Sequence, residues 1–98
     1  MNTYGLADTA LDWAVGSTGE YGCGFFSTDW LAGGAIIERE GIEICPVGNG
    51  EWRAQLFGQG DLHRQYGDTP LVAAMRCYVA SKLGDVVELP KALLEDLR

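Results

Sequence analysis

Apolar residues at helical spacing predict one main helix in this chain, over about 70–83. Its apolar stripe repeats every three or four positions, as on the buried face of an amphipathic helix, and comprises Leu71, Met75, Tyr78, Val79 and Leu83. Thr69 is the predicted N-cap, Pro70 suits the first helical position, and Gly84 is the predicted end. We expect this helix to pack on a sheet.

A shorter helical pattern runs from Asp8 to Val15, where apolar residues again lie three and four positions apart. Asp8 is the predicted cap of this helix and Gly16 its predicted end. After the main helix, a brief extended segment at 86–89 precedes Pro90, and the apolar residues within 92–97 predict a short C-terminal helix.

Alternating apolar and polar residues predict a β-hairpin over about 42–57. The first strand is expected at about 42–46, and Asn49-Gly50 is the pair that accepts positive φ in a tight turn. The second strand, Glu51 to Phe57, places Trp52 on its apolar face, and a polar connection follows at 58–67. The pattern therefore predicts an α+β fold: a small antiparallel sheet packed by one main helix, with short N- and C-terminal helices, in a single domain over 1–98.

The glycine-rich segment 16–24 suits a loop or a weak edge strand, and its spacing matches neither the dinucleotide fingerprint nor the phosphate-binding loop. Cys23, Cys45 and Cys77 form no C-x-x-C pair, so we expect three reduced thiols, two of them filling core volume. His63 has no second histidine at metal-ligand spacing and is expected at the surface. We therefore predict neither a metal nor a cofactor.

The charge of the chain restricts its partners. Fourteen acidic residues against seven Lys and Arg give a net charge of -7, which argues against direct nucleic-acid binding and against an anionic membrane surface. No apolar run approaches the length of a membrane span, and no signal peptide is visible, so we expect a cytoplasmic protein. The first 38 residues hold five acids and no Lys or Arg, namely Asp8, Asp12, Glu20, Asp29 and Glu38. This segment predicts a negative surface, which either attracts a basic partner or only keeps the protein soluble.

Three strings resemble the NinX-like family of bacteriophages and prophages, a domain of unknown function. They are the residues 10–15, the residues 27–42 with Ser27-Thr28-Asp29-Trp30 and Gly33-Gly34, and the helix string 69–84. The resemblance covers roughly two thirds of the chain and weakens at 16–25 and 55–65. It implies a phage accessory protein in the bacterial host cytoplasm that acts by binding, with no catalytic residue to carry over.

A candidate ligand site lies in the segment Phe26 to Gly34. Short polar groups stand between two aromatic residues there, and a glycine pair permits close backbone approach to a ligand. Arg39 and Arg76 are the predicted cations for a phosphate. The predicted ligand-binding residues are Phe26, Ser27, Thr28, Asp29, Trp30, Gly33, Gly34, Arg39 and Arg76. The alternative is that Phe26 and Trp30 belong to the core and that Ser27 to Asp29 cap a short helix at 30–32.

The triplet Glu38-Arg39-Glu40 is interpreted as part of a strand that places both carboxylates on one face, or as a solvated salt-bridging edge. No cysteine, histidine or acid forms a recognisable catalytic set, so we expect a protein that is not an enzyme; a Cys-His enzyme is the weaker alternative.

Two binding functions fit the sequence. In the first, the protein sequesters a small nucleotide-like or anionic signal and so counteracts bacterial defence; this requires Trp30, Arg39 and Arg76 to converge on one cavity. In the second, it is an acidic inhibitor that covers a basic host protein, such as a nucleic-acid enzyme. This requires an exposed face formed by Asp8, Asp12, Glu20 and Asp29. The oligomeric state, including a homo-oligomer, is left open.

Overall fold

The computed structural model describes residues 2–91 and residue 93. A 3₁₀ turn at Thr3–Gly5 comes first. The later elements are helix α1 (Asp8–Ser17), helix α2 (Trp30–Glu40), strands β1 (Ile42–Gly48), β2 (Glu51–Leu56) and β3 (Gln65–Gly67), and helix α3 (Pro70–Leu83). The predicted α+β fold is confirmed, with an antiparallel sheet against one main helix.

The sheet has the order β1-β2-β3, and both strand pairs are antiparallel. The hairpin is confirmed: Ile42 lies opposite Leu56, and Asn49 and Gly50 take φ values of 54° and 76° in the connecting turn. Strand β3 lies within the predicted polar connection. Sequence pattern missed it because three residues are too few to establish an alternation.

Helix α3 occupies the centre of the protein, and its predicted bounds are confirmed. The Thr69 side chain accepts a hydrogen bond from the Val72 N–H at 3.1 Å, as an N-cap does. The sheet, α1 and α2 all contact this helix, so it is buried on nearly every side rather than along one stripe. Leu83, predicted in the stripe, is exposed at its end.

Helix α2 is longer than the short helix at 30–32 that was the alternative to a ligand site, and it includes the triplet that was interpreted as part of a strand. Asp29 Oδ1 accepts the Leu31 N–H at 3.0 Å and caps the helix, which continues to Glu40 and ends at Gly41 with φ of 69°. Glu38-Arg39-Glu40 therefore forms the last helical turn, so the strand interpretation was wrong. Gly33 lets this helix pack closely, because a Cβ there would lie 2.5 Å from the Phe26 carbonyl oxygen.

Helix α1 also differs from its predicted ends. Its N-cap is Ala7, whose side chain makes no capping bond, and Asp8 is the first helical residue rather than the cap. Gly16 does not end the helix, which continues to Ser17. A Cβ at position 16 would lie 2.9 Å from the Gly22 carbonyl oxygen, so the absence of a side chain at Gly16 permits this close packing. The predicted C-terminal helix lies outside the described residues apart from Leu93.

The two ends of the described chain meet. Thr3, which is fully buried, donates its N–H to the Asp85 carbonyl oxygen at 2.7 Å and its hydroxyl to the Gly84 carbonyl oxygen at 2.6 Å. Asn2 forms an antiparallel bridge with Val86. The N-terminal segment is thereby fixed against the end of α3.

The three cysteines are free, but only Cys77 lies in the core, whereas Cys23 and Cys45 are exposed. The prediction that two thiols fill core volume was therefore wrong, because one does. Residues 2–91 and 93 include no helix with the length and hydropathy that a membrane span requires.

Candidate functional site

An open cavity of about 800 Å³ lies where three distant segments of the chain meet. These segments are the start of α1, the β1–β2 turn and the connection between β3 and α3. We call this cavity the acidic groove; it is lined by Tyr4, Ala7, Asp8, Asn49, Gly50, Glu51, Tyr66, Gly67, Asp68, Val72 and Arg76. Gly67 allows β3 to approach α3, because a Cβ there would lie 2.7 Å from the Ala73 backbone nitrogen.

The charge of the acidic groove is negative. Asp8, Glu51 and Asp68 are exposed, and none of them forms an ion pair with another described residue. Three carboxylates against the single guanidinium of Arg76 leave two net negative charges in the lining. The groove therefore favours a cationic ligand over an anionic one.

Arg76 is a fixed cation within this groove. Its Nε donates to the Leu6 carbonyl oxygen at 2.6 Å, and its Nη1 donates to the Tyr66 carbonyl oxygen at 2.7 Å. Burial lowers the pKa of this guanidinium, and the nearby charge of Asp68 partly opposes that shift. Arg76 thus joins the segment before α1 to β3 and holds two walls of the groove together.

The backbone of the acidic groove is unusual. Among the described residues, two that are not glycine have positive φ, Asp8 at 47° and Asn49 at 54°, and both line this groove. Asn49 is explained by the hairpin turn. Asp8 has no such explanation, because it begins α1 directly after the extended Ala7. Backbone conformations of this kind cost free energy and cluster at ligand sites, so this observation singles out the groove.

The predicted segment Phe26 to Gly34 divides between core and surface. Phe26, Ser27 and Gly33 are buried, Thr28 and Asp29 are exposed, and Gly34 is half-buried. Trp30 is 56% exposed at the start of α2. None of these residues lines the acidic groove.

The two predicted cations lie in different places. Arg39 is at the other end of α2 from Trp30, nine residues or roughly 13 Å along the helix axis. Arg76 lies in the acidic groove. The structure therefore does not gather Trp30, Arg39 and Arg76 around one of the cavities described here.

Arg39 belongs instead to a tyrosine–glutamate cluster, formed by Glu20, Tyr21, Arg39, Glu40, Tyr78 and Lys82. The Tyr21 hydroxyl donates to Glu40 at 2.7 Å, and the Tyr78 hydroxyl donates to Glu20 at 2.9 Å. Lys82 Nζ lies 3.7 Å from Glu20 and 3.5 Å from Glu40, and Arg39 lies within 4 Å of both carboxylates. The cluster joins the loop after α1 to the ends of α2 and α3.

Three ionisable groups of this cluster have clearly shifted pKa values: the pKa of Glu20 is lowered, and burial raises the pKa values of Tyr21 and Tyr78. The hydrogen bond from Tyr78 lowers the pKa of Glu20, with Lys82 and Arg39 adding to that effect against desolvation. Burial raises the pKa of Tyr78 to about 12. The shifts favour the charged form of Glu20 and the protonated form of Tyr78.

The acids of the first 38 residues have separate roles. Asp12 accepts the Ser27 N–H at 2.7 Å, Asp29 caps α2, and Glu20 lies in the tyrosine–glutamate cluster. Asp8 alone among them lines the acidic groove. The acids that line one cavity are therefore Asp8, Glu51 and Asp68, and sequence reasoning did not select the last two.

The thiols and the histidine are dispersed. Burial raises the pKa of the Cys77 thiol to about 12, so this thiol stays protonated at neutral pH. Within the described chain, no hydrogen bond joins His63 to a cysteine, and no group of three potential metal ligands is found.

The fold and the groove define a small α+β protein with an acidic, partly aromatic cavity. A family model described as Bacteriophage P22, NinX matches residues 20–82. Because this match covers well over half of the chain, the protein belongs to that phage family, and the resemblance noted in the sequence is confirmed. No curated protein matches the chain. The matched region contains the whole tyrosine–glutamate cluster and the groove residues from Asn49 to Arg76, whereas Tyr4, Ala7 and Asp8 precede it.

Sequence reasoning named Arg76 and the Asn49-Gly50 turn but missed Tyr4, Asp8 and Asp68 as parts of one site. The local signals were an aspartate directly before the N-cap Thr69 and an aspartate at the start of α1. These signals indicate helix starts, and only the tertiary fold brings the side chains together.

Proposed function

We propose that this phage protein acts as a non-catalytic inhibitor that binds a basic segment of a host protein in the acidic groove. The observation that carries this proposal is the set of three exposed carboxylates, Asp8, Glu51 and Asp68, without ion pairs among the described residues. A Lys or Arg side chain of a partner would supply the missing charge.

The other lining groups fit the same ligand. Tyr4 is 68% exposed, and a tyrosine ring attracts a guanidinium or ammonium group placed over its face. A cavity of about 800 Å³ has room for more than one side chain. The net charge of -7 adds long-range attraction, which accelerates encounter with a basic surface.

Sequestration of a nucleotide-like anion is supported less well by this arrangement. Arg76, the cation in the groove, already donates to two carbonyl oxygens and shares the groove lining with three carboxylates. Arg39 is engaged with Glu20 and Glu40 and does not line the groove. A phosphate would therefore meet repulsion at the groove and competition at Arg39.

The binding site is tested by NMR titration of the ¹⁵N-labelled protein with a tri-arginine peptide, with a tri-glutamate peptide as control. We expect tri-arginine to shift the amide signals of Asp8, Gly50 and Gly67, and tri-glutamate to leave them unchanged. The groove variant D8N/E51Q/D68N should lose this response. The matched variant E38Q/D61N/E88Q removes the same charge from exposed positions outside the groove and should keep it.

The function is tested by affinity capture from host lysate at low salt, about 50 mM, and again at about 300 mM, where screening shortens the reach of charge. We expect one basic host protein to bind the wild type and the matched variant, to be lost at the higher salt, and to be absent with the groove variant. Equal capture by the folded groove variant would refute the proposal. Release of a nucleotide on heating, without a bound protein, would favour sequestration instead.

A further inference from the structure

A second cavity, of about 600 Å³, lies between α1 and the loop formed by residues 18–29. We call it the apolar pocket; it is lined by Thr9, Asp12, Trp13, Gly16, Ser17, Cys23, Gly24 and Phe25. It shares no residue with the acidic groove. Its size is that of pockets for small molecules, which are mainly apolar with a few oriented polar groups.

Two aromatic side chains of the apolar pocket are accessible. Phe25 is 73% exposed, and Trp13 is 36% exposed although it belongs to a helix whose other face is in the core. Large exposed aromatic residues beside a cavity indicate a binding surface. Their faces suit a planar ring, which stacks on aromatic side chains.

The apolar pocket contains one charged group, and its orientation is fixed. Asp12 Oδ1 accepts the Ser27 N–H at 2.7 Å, while Oδ2 has no hydrogen-bond partner among the residues described. Ser27 itself is 2% exposed, and its hydroxyl likewise has no partner in that part of the chain. A carboxylate held in this way accepts hydrogen bonds from N–H groups of a ligand.

No Lys or Arg lines the apolar pocket, so a phosphate would find no counter-charge there beside the Asp12 carboxylate. The walls are also held close together. A Cβ at Gly16 would lie 2.9 Å from the Gly22 carbonyl oxygen, and a Cβ at Gly24 would lie 3.2 Å from the Phe26 ring. The shape of the pocket therefore depends on glycine at both positions.

We propose that the apolar pocket binds a neutral planar heteroaromatic ring that carries adjacent N–H groups, as a guanine ring does. The ring packs against Trp13 and Phe25, and its N–H groups donate to the Asp12 carboxylate. This site is separate from the acidic groove and goes beyond the proposed inhibitor function.

The test uses guanosine as the probe and 1-methylguanosine, which lacks the ring N–H, as the matched control. In NMR spectra of the wild-type protein, guanosine at up to about 1 mM should shift the Trp13 indole N–H and the Gly24 amide. We expect 1-methylguanosine to bind about tenfold more weakly, because the Asp12 carboxylate then loses a donor. A Trp13→Phe variant assigns the indole signal.

Two variants separate recognition from folding. Asp12→Asn keeps an oxygen for the Ser27 N–H but removes the charge, and should weaken guanosine binding about tenfold. The matched exposed variant Asp61→Asn should bind as the wild type does. In a Cys45→Ser background, guanosine should also slow alkylation of Cys23, since Cys77 is buried.

Absence of a shift at Trp13 and Gly24 and of Cys23 protection would overturn the proposal, as would equal binding of guanosine and 1-methylguanosine. Tighter binding of guanosine monophosphate than of guanosine would also overturn it, because the phosphate would then be the recognised group. The tri-arginine titration reports on Gly50 and Gly67 instead, so failure at one site is distinguishable from failure at the other.

Discussion

The tyrosine–glutamate cluster and the acidic groove use similar carboxylates for different purposes. In the cluster, Glu20 and Glu40 each have a tyrosine hydroxyl and two cations as partners. In the groove, Asp8, Glu51 and Asp68 have no ion pair among the described residues. Both regions contain carboxylates, but only those of the cluster have hydrogen-bond and ion-pair partners within the protein.

This contrast shows which acids are available to a partner. A carboxylate that is already hydrogen-bonded and ion-paired gains little from binding a cation and loses existing contacts. An exposed carboxylate with none of these contacts gives up only water. We therefore expect substitutions in the cluster to change stability and substitutions in the groove to change binding.

Tyr78→Ala should have the largest effect on folding. This side chain is fully buried and also donates to Glu20, so its removal creates a core cavity and costs about 3–5 kcal/mol. The groove counterpart Tyr4→Ala should change the free energy of unfolding by about 0.5 kcal/mol or less, since that ring is exposed. Urea denaturation measures both values, and similar losses for the two variants would contradict the contrast.

Glu40→Gln should come next. The Glu40 side chain is mostly buried, accepts from Tyr21 and faces Lys82, so neutralising it should cost about 1–2 kcal/mol. Glu51→Gln in the groove should cost about 0.5 kcal/mol or less. A double-mutant cycle of Glu40→Gln with Tyr21→Phe checks the origin of the loss. Because Gln keeps an oxygen that can accept from the Tyr21 hydroxyl, strict additivity would mean that the charge of Glu40 does not strengthen this hydrogen bond.

The pH dependence of stability reports on Tyr78 and Glu20 of the cluster and on the core thiol of Cys77, which lies outside the cluster. At high pH, the raised pKa values of Tyr78 and Cys77, both to about 12, mean that the unfolded chain releases these protons first. Their stabilising contribution is therefore complete below the ordinary values of 9.0 for the thiol and 10.0 for the phenol, and is lost as the pH rises toward about 12. The midpoint of urea denaturation, measured as a function of pH, reports this loss. Cys77→Ala should remove the contribution of the thiol and make the midpoint less dependent on pH in this range.

At low pH, stability is lost as the pH falls rather than as it rises. Because the pKa of Glu20 is lowered in the folded state, its contribution is present above the ordinary value of 4.5 and is lost as the pH falls through the folded value. Glu20→Gln should flatten this acid limb. An unchanged acid limb would show that the contacts of Glu20 do not stabilise the fold.

Asp8→Gly should change the stability of the fold only slightly, and it should not lower it as most substitutions do. Glycine adopts positive φ without the steric cost that Asp8 pays at 47°, so stability should be unchanged or rise by up to about 1 kcal/mol. The change Asp12→Gly in the interior of α1 should lower stability by about 1 kcal/mol or more, through helix propensity and through loss of the Ser27 N–H hydrogen bond. Thermal melts compare the two. A loss for Asp8→Gly equal to that for Asp12→Gly would remove the evidence for backbone strain at the groove.

The groove variant D8N/E51Q/D68N should change stability least, by about 0.5 kcal/mol at most. At low salt its melting temperature should be slightly higher than that of the wild type, because repulsion among three like charges is removed. A clear loss of stability would mean that these acids support the fold, as the acids of the cluster do.

Local signals in the sequence were enough for the hairpin and the main helix. Asn49-Gly50 dictates the turn, and Thr69-Pro70 with Gly84 sets the ends of α3. The strand interpretation of Glu38-Arg39-Glu40 was wrong although alternating charges suit a strand, and the β-branched Ile36 and Ile37 before them also favour strands by propensity. In the structure Ile36 packs in the core as part of a helix that Asp29 caps, so tertiary packing decided the outcome.

The candidate sites were less predictable than the fold. Asp8, Glu51 and Asp68 are separated by 43 and 17 positions in the chain, and no periodicity relates them. The apolar pocket likewise needs the loop at residues 18–29 to return to α1, through the Asp12–Ser27 hydrogen bond. Sequence reasoning placed ligand chemistry near Phe26, one residue from Phe25, but had no means to find the cavity itself.

The hydrogen bond between Thr3 and Gly84 also affects the order in which parts of the protein fold. This contact spans 81 positions, so it closes one of the longest loops that the chain can form. Loops of such length have an entropic cost and are expected to close late in folding and to open early in native-state hydrogen exchange. This closure and the Arg76–Leu6 hydrogen bond together hold the segment that carries Tyr4 and Asp8 at the acidic groove. A partner that occupies the groove should therefore stabilise this contact. Hydrogen exchange of the Thr3 amide should then become slower, and the effect should grow with the affinity of the partner.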